Sequence, residues 1–408
     1  MLDTKNEQNT QPLLIVNDCS YENIVRIRQE LSKENPPIDE VINSNILAQL
    51  IQLNIDADIG FEMAWIITNV ASGTEGHCRY LLEIGAVEYL ERAFSLDSQK
   101  LRDQVIWGYG NLFDERTLTQ ALLEKIDLNR ILEHIEKSKQ IPQQQTTYSF
   151  MLANFACYCK AYKEEILSLE IKFLKSLSSD TIDSDSLRGV RNSSNENLIS
   201  KYIDEELVRI LVKACEKQTD CLFSLEILID ISLDSKGSEL IVSEGFLELV
   251  PGLLESSIDS TVTKSFLLLS NLLADLPEII ETIDSNGTIS ATIKKLKNIN
   301  LKVKEEALRV LSECLGSATP KFKPNLVRTG AVSEFSKCLN TNFSKNFRNL
   351  ILEMLESFTR NFDLSVFSTE CSKVSYELKQ FSKKFPKSKA KSILLKLKPP
   401  VDQEDDSV

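Results

Sequence analysis

Two segments with one shared pattern decide the fold of this chain: Phe61-Glu62-Met63-Ala64-Trp65-Ile66-Ile67-Thr68-Asn69-Val70-Ala71-Ser72-Gly73-Thr74 and Ile106-Trp107-Gly108-Tyr109-Gly110-Asn111-Leu112. They contain the only two Trp of the 408 residues, and each Trp has an Asn four positions later. Residues four apart lie on one face of a helix, so each segment predicts an indole and a carboxamide one turn apart. The two Trp lie 42 residues apart, a spacing that suits one unit of a helical repeat.

The same three-helix pattern recurs along the chain with a period of about 40 residues. A short first helix ends at a glycine, a second apolar helix follows at once, and a longer third helix completes the unit. The glycine recurs at Gly85, Gly245 and Gly330, where it permits a tight turn between the first two helices. This period is typical of armadillo or HEAT units, which bury their apolar faces only against neighbouring units. We therefore expect an all-α solenoid.

The overall composition is that of a soluble, mainly helical protein. Hydrophobic residues make up 42% of the chain and charged residues 26%, with only 13 Gly and 11 Pro. The net charge of −13 argues against a general nucleic-acid binder and suits a basic partner. No apolar run approaches the roughly 20 residues of a membrane span. The nine Cys are scattered and follow no signal peptide, which predicts reduced thiols in the cytosol or nucleus.

The sequence predicts a repeat region between two terminal tails. We expect residues 1–12 to be a disordered polar tail, residues 13–398 to form the repeats, and residues 399–408 to be a disordered acidic tail. The basic stretch 383–398 admits two interpretations, a solvated last helix or a segment that docks or is recognised as an import signal. The close pair Cys157 and Cys159 lacks further ligands nearby, so neither a metal nor another cofactor is expected.

Side by side, the third helices would form a row of binding positions for an extended peptide. Packed helices lie roughly 8–10 Å apart and a peptide advances about 3.3 Å per residue, so adjacent helices are about three peptide residues apart. Facing indoles would hold the alkyl stem of a Lys or Arg, whose charge over the ring adds roughly 0.5–2 kcal/mol. The Asn side chains can donate to and accept from the peptide backbone. Acidic side chains at the rim would select for positive charge.

Core packing is the competing interpretation of the two Trp, because a Trp in a helix is usually buried. Other residues already supply the apolar stripe of these helices: Ala64, Ile67 and Val70 in the first, and Ile106, Tyr109 and Leu112 in the second. Trp65 and Trp107 fall outside that stripe, so we expect both on an exposed groove wall.

At these positions the chain resembles importin-α, the armadillo-repeat adaptor of nuclear import. The resemblance rests on Asn35-Pro36-Pro37-Ile38-Asp39-Glu40-Val41-Ile42, on Trp65 to Thr74 and on Val105 to Asn111. It is close over residues 20–115 and continues in register to about residue 363. It implies an all-α, right-handed superhelical armadillo-repeat solenoid of about ten repeats.

In importin-α the Trp-Asn array of the second to fourth repeats is the major site for nuclear localisation signals. By resemblance, this site would comprise Trp65, Asn69, Ser72, Gly73, Thr74, Trp107, Asn111, Glu115, Phe150 and Asn154. Phe150 stands where the family has Trp and offers a weaker π face. Glu115 stands where Asp is usual in the family. Cys78 stands where a pocket Thr is usual, so one hydroxyl contact would be lost.

The family's minor site, on later repeats, looks eroded in this chain. Asn271 is retained without its Trp, and Arg309 and Glu313 replace the Trp and Asn of another repeat. The same alignment assigns two further pairs to the intervening repeats: Gly189 with Ser193, and Glu226 with Asp230. Without the indoles the slots are lost, so bipartite signals should gain little from these repeats.

The resemblance implies partners and also shows a departure. Importin-α carries a basic segment before its first repeat that binds importin-β, whereas Lys5 is the single basic residue within residues 1–19. We expect partners with Lys/Arg-rich localisation signals, no nucleic acid, and a location in cytoplasm and nucleus. Importin-β and a nuclear export receptor are further candidates. If importin-β is not used, the chain would be an armadillo scaffold, competitor or chaperone for basic partners.

Two other classes of function fit the sequence less well than an import adaptor. An armadillo scaffold for an acidic or apolar partner is disfavoured, for an acidic ligand, by the net charge of −13. For an enzyme, only His77 and His134 are present, and neither lies in a recognisable arrangement with Ser, Cys or an acid. Phosphate-binding loops of the P-loop and Rossmann kinds are absent from the sequence. We therefore expect a binding protein rather than an enzyme.

Overall fold

The computed structural model describes residues 19–138, 142–176, 184–217, 221–317, 327–361 and 368–397. These residues form helices joined by short connections, and no strand occurs among them. None of the described helices is long and apolar enough to cross a membrane. Both predicted tails, 1–12 and 399–408, lie outside the described residues, and the predicted bounds of the repeat region, 13–398, stay a prediction.

Contacts divide the chain into two compact units, Met1–Ser194 and Asn195–Val408, here called the N-terminal and C-terminal units. The N-terminal unit contains α1 (Tyr21–Leu31), α2 (Ile38–Asn43), α3 (Ile46–Leu50), α4 (Ala57–Ala71), α5 (Glu75–Ile84), α6 (Ala86–Phe94), α7 (Gln99–Phe113), α8 (Thr119–Leu123), α9 (Leu128–Lys137), α10 (Pro142–Tyr158), α11 (Lys163–Ser176) and α12 (Ser184–Ser193).

The described part of the C-terminal unit continues the pattern of short and long helices. It contains α13 (Glu196–Ile199), α14 (Glu205–Ala214), α15 (Cys221–Ile231), α16 (Ser235–Ser243), α17 (Phe246–Glu255), α18 (Asp259–Asp275), α19 (Ile280–Ser285), α20 (Thr288–Lys295), α21 (Leu301–Ser317), α22 (Ala331–Lys337), α23 (Lys345–Asn361), α24 (Ser368–Lys384) and α25 (Ala390–Lys396). The all-α solenoid predicted from the repeat pattern is confirmed by this recurring order.

Glycine forms the turn between the first two helices of several repeats, as predicted. Gly85, Gly245 and Gly330 have φ values of 87°, 88° and 80°, in the left-handed region that a residue with a Cβ rarely adopts. The sequence pattern missed a fourth such turn at Gly287, which has a φ of 88°. In each case the following helix begins at the residue after the glycine, so only a short turn separates it from the preceding helical segment.

Polar caps fix where the long helices begin. The carboxylate of Asp56 accepts hydrogen bonds from the backbone N–H groups of Asp58 and Ile59 at 3.0 and 2.8 Å, which starts α4. The hydroxyl of Ser98 accepts from the N–H of Leu101 in the same way at the start of α7. These caps fix the registers of the two helices that carry the Trp residues.

The long helices pack side by side within each unit. In the N-terminal unit α1, α4, α7, α10 and α12 contact one another in that order, and we call them its inner helices. In the C-terminal unit α15, α18, α21 and α23 do the same. The predicted apolar stripe is confirmed, because Ala64, Ile67 and Val70 and Ile106, Tyr109 and Leu112 are all buried.

Candidate functional site

Trp107 has the exposure expected of a binding residue rather than a core residue. Its side chain is 47% exposed, on the middle of an inner helix whose other apolar residues are buried. Trp65 on α4 is half-buried, as are Asn69 and Asn111 one turn further along their helices. We call the surface formed by Trp65, Asn69, Trp107 and Asn111 the Trp–Asn surface. Its two indoles are held by neighbouring helices that are in contact.

Both Asn side chains of this surface also link one inner helix to the preceding one. The Nδ2 of Asn111 donates to the carbonyl oxygen of Thr68 on α4 at 2.9 Å. The Nδ2 of Asn69 donates to the hydroxyl of Ser32, just after α1, at 3.1 Å. Among the described residues nothing donates to the Oδ1 of either Asn. Each carboxamide is therefore held in place by one bond while its oxygen can accept from a peptide N–H.

Phe150 brings a third aromatic ring next to the Trp–Asn surface. It lies half-buried on α10, which contacts α7. A Cβ built on Gly110 of α7 would lie 2.6 Å from the Cδ1 of Phe150. The absence of a side chain at Gly110 therefore lets the ring pack directly on α7.

Asn154 is not available to a ligand, which corrects the prediction made for it. Its side chain is only 2% exposed. Its Nδ2 donates to the carbonyl of Gly110 at 2.9 Å, and its Oδ1 accepts from the Nη1 of Arg188 at 2.7 Å. Both ends of the carboxamide are thus used to join α10 to its two neighbouring inner helices. Asn154 has a structural role in this protein.

Two arginines of the chain itself lie over aromatic rings at the two ends of this surface. The guanidinium of Arg28 on α1 is 4.7 Å from the ring centre of Trp65, and that of Arg188 on α12 is 5.8 Å from Phe150. Arg28 is held by Glu62 at 2.7 Å, and Arg188 by Asp185 at the same distance. Sequence reasoning missed both arginines.

The order of the inner helices places Trp65, Trp107 and Phe150 in a row between these two arginines. Arg28 comes from the side of α4 opposite to α7, and Arg188 comes from the side of α10 opposite to α7. The spaces from Trp65 to Trp107 and from Trp107 to Phe150 therefore lie between the two guanidinium groups. No cation of the described residues lies over the ring of Trp107. Trp107 is thus the central ring of the site.

The turn after α4 is exposed and built by a capping box. Ser72, Gly73 and Thr74 are all exposed. The hydroxyl of Thr74 accepts from the N–H of His77, while the Nδ1 of His77 accepts from the N–H of Thr74 at 3.1 Å. A Cβ on Gly73 would lie 2.2 Å from that Nδ1, so this turn requires glycine. The Nε2 of His77 lies 3.0 Å from Asp39, which fixes the ring.

Negative charge collects where α7 ends. Asp114 is exposed and Glu115 is half-buried directly after the last helical residue, where the helix dipole is also negative. Cys78 is fully buried and its thiol donates to the carbonyl of Ala71 at 3.2 Å. Burial raises the pKa of Cys78 to about 11, with a further rise from the carboxylates of Glu115 and Asp114. Cys78 is therefore inaccessible to a ligand, whereas the two carboxylates are accessible at the end of α7.

The alignment through α12 was wrong by one residue. Gly189 and Ser193 are buried, whereas Arg188 and Asn192 are half-buried at the edge of the helix. The Nδ2 of Asn192 donates to the carbonyl of Ala153 at 3.0 Å. This bond repeats the one from Asn111 to the residue before Asn69. A signal was present in the sequence, since Arg188 and Asn192 keep the four-residue spacing without an aromatic ring.

Several polar side chains on the inner helices of the C-terminal unit pair with neighbouring side chains. Asn271 donates to the hydroxyl of Ser232 at 2.9 Å, and Lys264 pairs with Glu226 at 2.9 Å. Arg309 lies 5.1 Å from the ring centre of Phe347 on α23, and Glu313 is half-buried one turn after it. Asn271 thus lies on α18, and Arg309 and Glu313 lie on α21. The eroded minor site stays a prediction.

Groups of metal-binding residues and the surroundings of His134 bear on whether the chain could do chemistry besides binding. They contain no group of three or more His, Cys, Asp or Glu residues that could hold a metal ion. His134 is half-buried against Phe94 and Tyr148, with ring centres 5.3 and 6.4 Å away. Burial, and then the charge of Arg102, lower the pKa of His134. This histidine packs the core and contacts no ring of the Trp–Asn surface.

Known proteins similar to this chain are importin subunits of the alpha type. Importin subunit alpha-6 of Arabidopsis thaliana is 36% identical over 99 residues, which are 23% of this chain and 18% of that protein. Importin subunit alpha-1b of Oryza sativa subsp. japonica is 30% identical over 135 residues, 32% of this chain and 25% of that protein. Probable importin subunit alpha-A of Dictyostelium discoideum is 34% identical over 97 residues, which are 22% of this chain and 18% of that protein.

These similarities cover only part of each protein. The chain spans a quarter or less of the length of the three relatives. No protein-family model matches it. Among solved structures, the crystal structure of an engineered protein superposes with a TM-score of 0.70 at 17% identity, covering 92% of both chains. The fold is thus shared with a solved structure, and the sequence is similar to importin alpha subunits over about a quarter of its length. None of the relatives' names designates an enzyme.

Proposed function

We propose that this chain is an import adaptor that binds short Lys/Arg-rich nuclear localisation signals on the Trp–Asn surface. The observation that carries the proposal is the exposed ring of Trp107, which lies between two further aromatic rings and beside free carboxamide oxygens. Similarity to importin alpha subunits supports the same class of function. An armadillo scaffold for unrelated partners would not need this combination.

The binding chemistry follows from the side chains present. An extended peptide laid across α4, α7 and α10 would place alkyl stems of Lys or Arg between adjacent rings. Each ammonium or guanidinium over a ring contributes roughly 0.5–2 kcal/mol. The Oδ1 atoms of Asn69 and Asn111 would accept from peptide N–H groups. Glu115 and Asp114 would attract the positive charges at the end of α7, where nearby carbonyl groups add negative potential.

The chain's own arginines limit how long a basic run can be. Arg28 and Arg188 are held in place at the two ends, so a peptide longer than the space between them would bring like charges together. The site therefore suits a short, monopartite signal with neutral or acidic flanking residues. The C-terminal inner helices would add little, because Leu267 and Arg309 stand there in place of aromatic residues.

An adaptor also needs a carrier, and we propose importin-β and a nuclear export receptor for that role, with the chain in both cytoplasm and nucleus. Direct binding of purified importin-β, measured with and without a Lys-rich peptide, tests this separately from signal binding. A chain that binds the peptide but never importin-β would be a competitor or chaperone for basic partners.

The binding test compares Trp107 with Leu267, which stands at the corresponding position in the C-terminal unit. A fluorescein-labelled peptide of the KKKRK type is titrated against the wild type, Trp107→Ala and Leu267→Ala by fluorescence anisotropy. Loss of Trp107 removes a wall from both spaces and should cost about 2–3 kcal/mol, roughly 30- to 150-fold in affinity. Leu267 is half-buried on α18 without a facing ring, and its replacement should change affinity less than about twofold.

The salt dependence of peptide affinity, measured on the same proteins, provides a second check. Raising NaCl from about 0.05 M to about 0.5 M should weaken wild-type binding, because the rim carboxylates are exposed to screening. The proposal fails if the peptide does not bind the wild type, or if Trp107→Ala binds as tightly as Leu267→Ala.

A further inference from the structure

A basic cleft lies in the C-terminal unit, in a chain whose net charge is −13. Its volume is about 730 Å³, and it is formed by α23, the end of α24 and the turn before α25. Five cationic side chains line it, Lys345, Arg348, Lys384, Lys387 and Lys389, against a single carboxylate, Glu353. This volume lies within the roughly 300–1,000 Å³ that is usual for ligand-binding clefts.

Most of these charges have no acidic partner of their own. Among the described residues no ion pair involves Lys345, Lys384 or Lys387, and all three are exposed. Lys389 lies 3.9 Å from the carboxylate of Glu356. That carboxylate already forms an ion pair with Arg360. The positive potential of the cleft is therefore available to a ligand.

The floor of the cleft is aromatic. Phe381 is buried and stacks on Phe385 with ring centres 4.7 Å apart, while Phe385 remains 39% exposed. The guanidinium of Arg348 lies 4.8 Å from the ring centre of Phe385 and donates to the carbonyl of Phe343 at 2.6 Å. Phe385 is thus held in position with one part of its surface open beside the lysines.

We propose that this cleft binds an acidic peptide segment of another protein that carries an apolar side chain among its acidic residues. The exposed lysines match carboxylates spread along an extended segment, and the open ring of Phe385 matches an aromatic or large aliphatic side chain. The cleft has no cage of buried polar groups, which a small anion would require for specificity.

Two other occupants are less well matched. A nucleic acid would extend beyond the cleft along a chain with excess negative charge, which opposes a long polyanion. The chain's own residues 402–408 carry four acidic residues, but the only apolar residue among them is Val408. Both are therefore included as competing probes rather than as the proposed ligand.

The test uses the full chain and a labelled ten-residue peptide of Asp and Glu with one central Phe. Lys384→Gln/Lys387→Gln removes two charges from the cleft. Lys379→Gln/Lys391→Gln removes the same charge from exposed positions outside it. At low ionic strength the first pair should weaken binding by about tenfold and the control pair by less than about twofold. Phe385→Ala should weaken binding by about fivefold.

Four other outcomes would each overturn the proposal that the cleft binds an acidic peptide. It fails if the probe does not bind the wild type, or if both lysine pairs weaken binding equally. It also fails if a peptide of residues 399–408 binds more tightly than the probe at the same lysines, which would assign the cleft to the chain's own tail. Tighter binding of a ten-nucleotide single-stranded RNA there would assign it to nucleic acid. Equal thermal melting of all variants by circular dichroism establishes that loss of binding is not loss of fold.

Discussion

The inner helices of the two units use corresponding positions in different ways. In the N-terminal unit, α4 and α7 place an aromatic ring and then a carboxamide at positions four residues apart, with one ring 47% exposed. In the C-terminal unit, α18 has Leu267 before Asn271, and α21 has Arg309 before Glu313. Polar side chains there pair with each other, as Lys264 does with Glu226.

The difference shows that the repeat fold and the binding chemistry are separable. Both units keep the apolar stripe and the contacts between neighbouring inner helices. What differs is the outer edge of each helix, where a residue contributes little to packing and is free to change. Under the proposed function, ligand binding depends on a few of these edge residues, and the following predictions test which of them matter.

The largest difference between an effect on stability and an effect on peptide binding should be seen when Asn154 on α10 is compared with Asn111 on α7. Asn154→Ala would leave the buried carbonyl of Gly110 without its side-chain donor and would remove one hydrogen bond of Arg188, which keeps its bond to Asp185. It should lower the free energy of unfolding by about 1–3 kcal/mol. Asn111→Ala should weaken peptide binding by about tenfold and lower stability by only about 0.5–1.5 kcal/mol. Urea unfolding and peptide anisotropy measure both quantities on the same proteins.

That assignment would be wrong if Asn154→Ala weakened peptide binding more than Asn111→Ala at a temperature where both variants are fully folded. In that case Asn154 would contact the ligand, and the burial of its carboxamide would have to change on binding.

A smaller effect is expected from the arginines at the two ends of the Trp–Asn surface. Arg28→Gln and Arg188→Gln each remove a fixed positive charge beside a ring. A peptide with a run of eight Lys should then bind about threefold more tightly, whereas a five-residue basic peptide should be unaffected. Isothermal titration with the two peptides gives the comparison. Equal gains for both peptides would contradict a limit on length.

The smallest effect is expected at Cys78. Its thiol is buried and donates to the carbonyl of Ala71, so it cannot reach a peptide on the surface. Cys78→Thr should change peptide affinity less than about twofold, since a buried Thr makes the same bond. An increase above fivefold would place this residue in the site after all.

The sequence was a good guide to features that depend on local patterns. The apolar stripe of α4 and α7 predicted that Trp107 lies outside the core, and the recurring glycines predicted turns that need a positive φ. Both follow from spacing along one helix or one turn, which periodicity records directly.

Features that depend on contacts between repeats were not predictable in the same way. The burial of Asn154 results from Gly110 and Arg188, which lie 44 and 34 residues away from it. The register of α12 could not be fixed from the sequence, because Arg188 replaces the aromatic residue that marks the position elsewhere and a shift of one residue stayed an alternative. The basic cleft is formed by α23 and the turn after α24, and only their packing brings Lys345 beside Phe385.

The most direct measurement of the central claim is intrinsic tryptophan fluorescence, because the only two Trp of the chain both lie on the Trp–Asn surface. Titration with a Lys-rich peptide should produce a saturable change in emission, with the same midpoint as the anisotropy titration. The acidic peptide proposed for the basic cleft should leave the emission unchanged. A Lys-rich peptide that binds the chain without altering the emission of Trp65 or Trp107 would contradict the account.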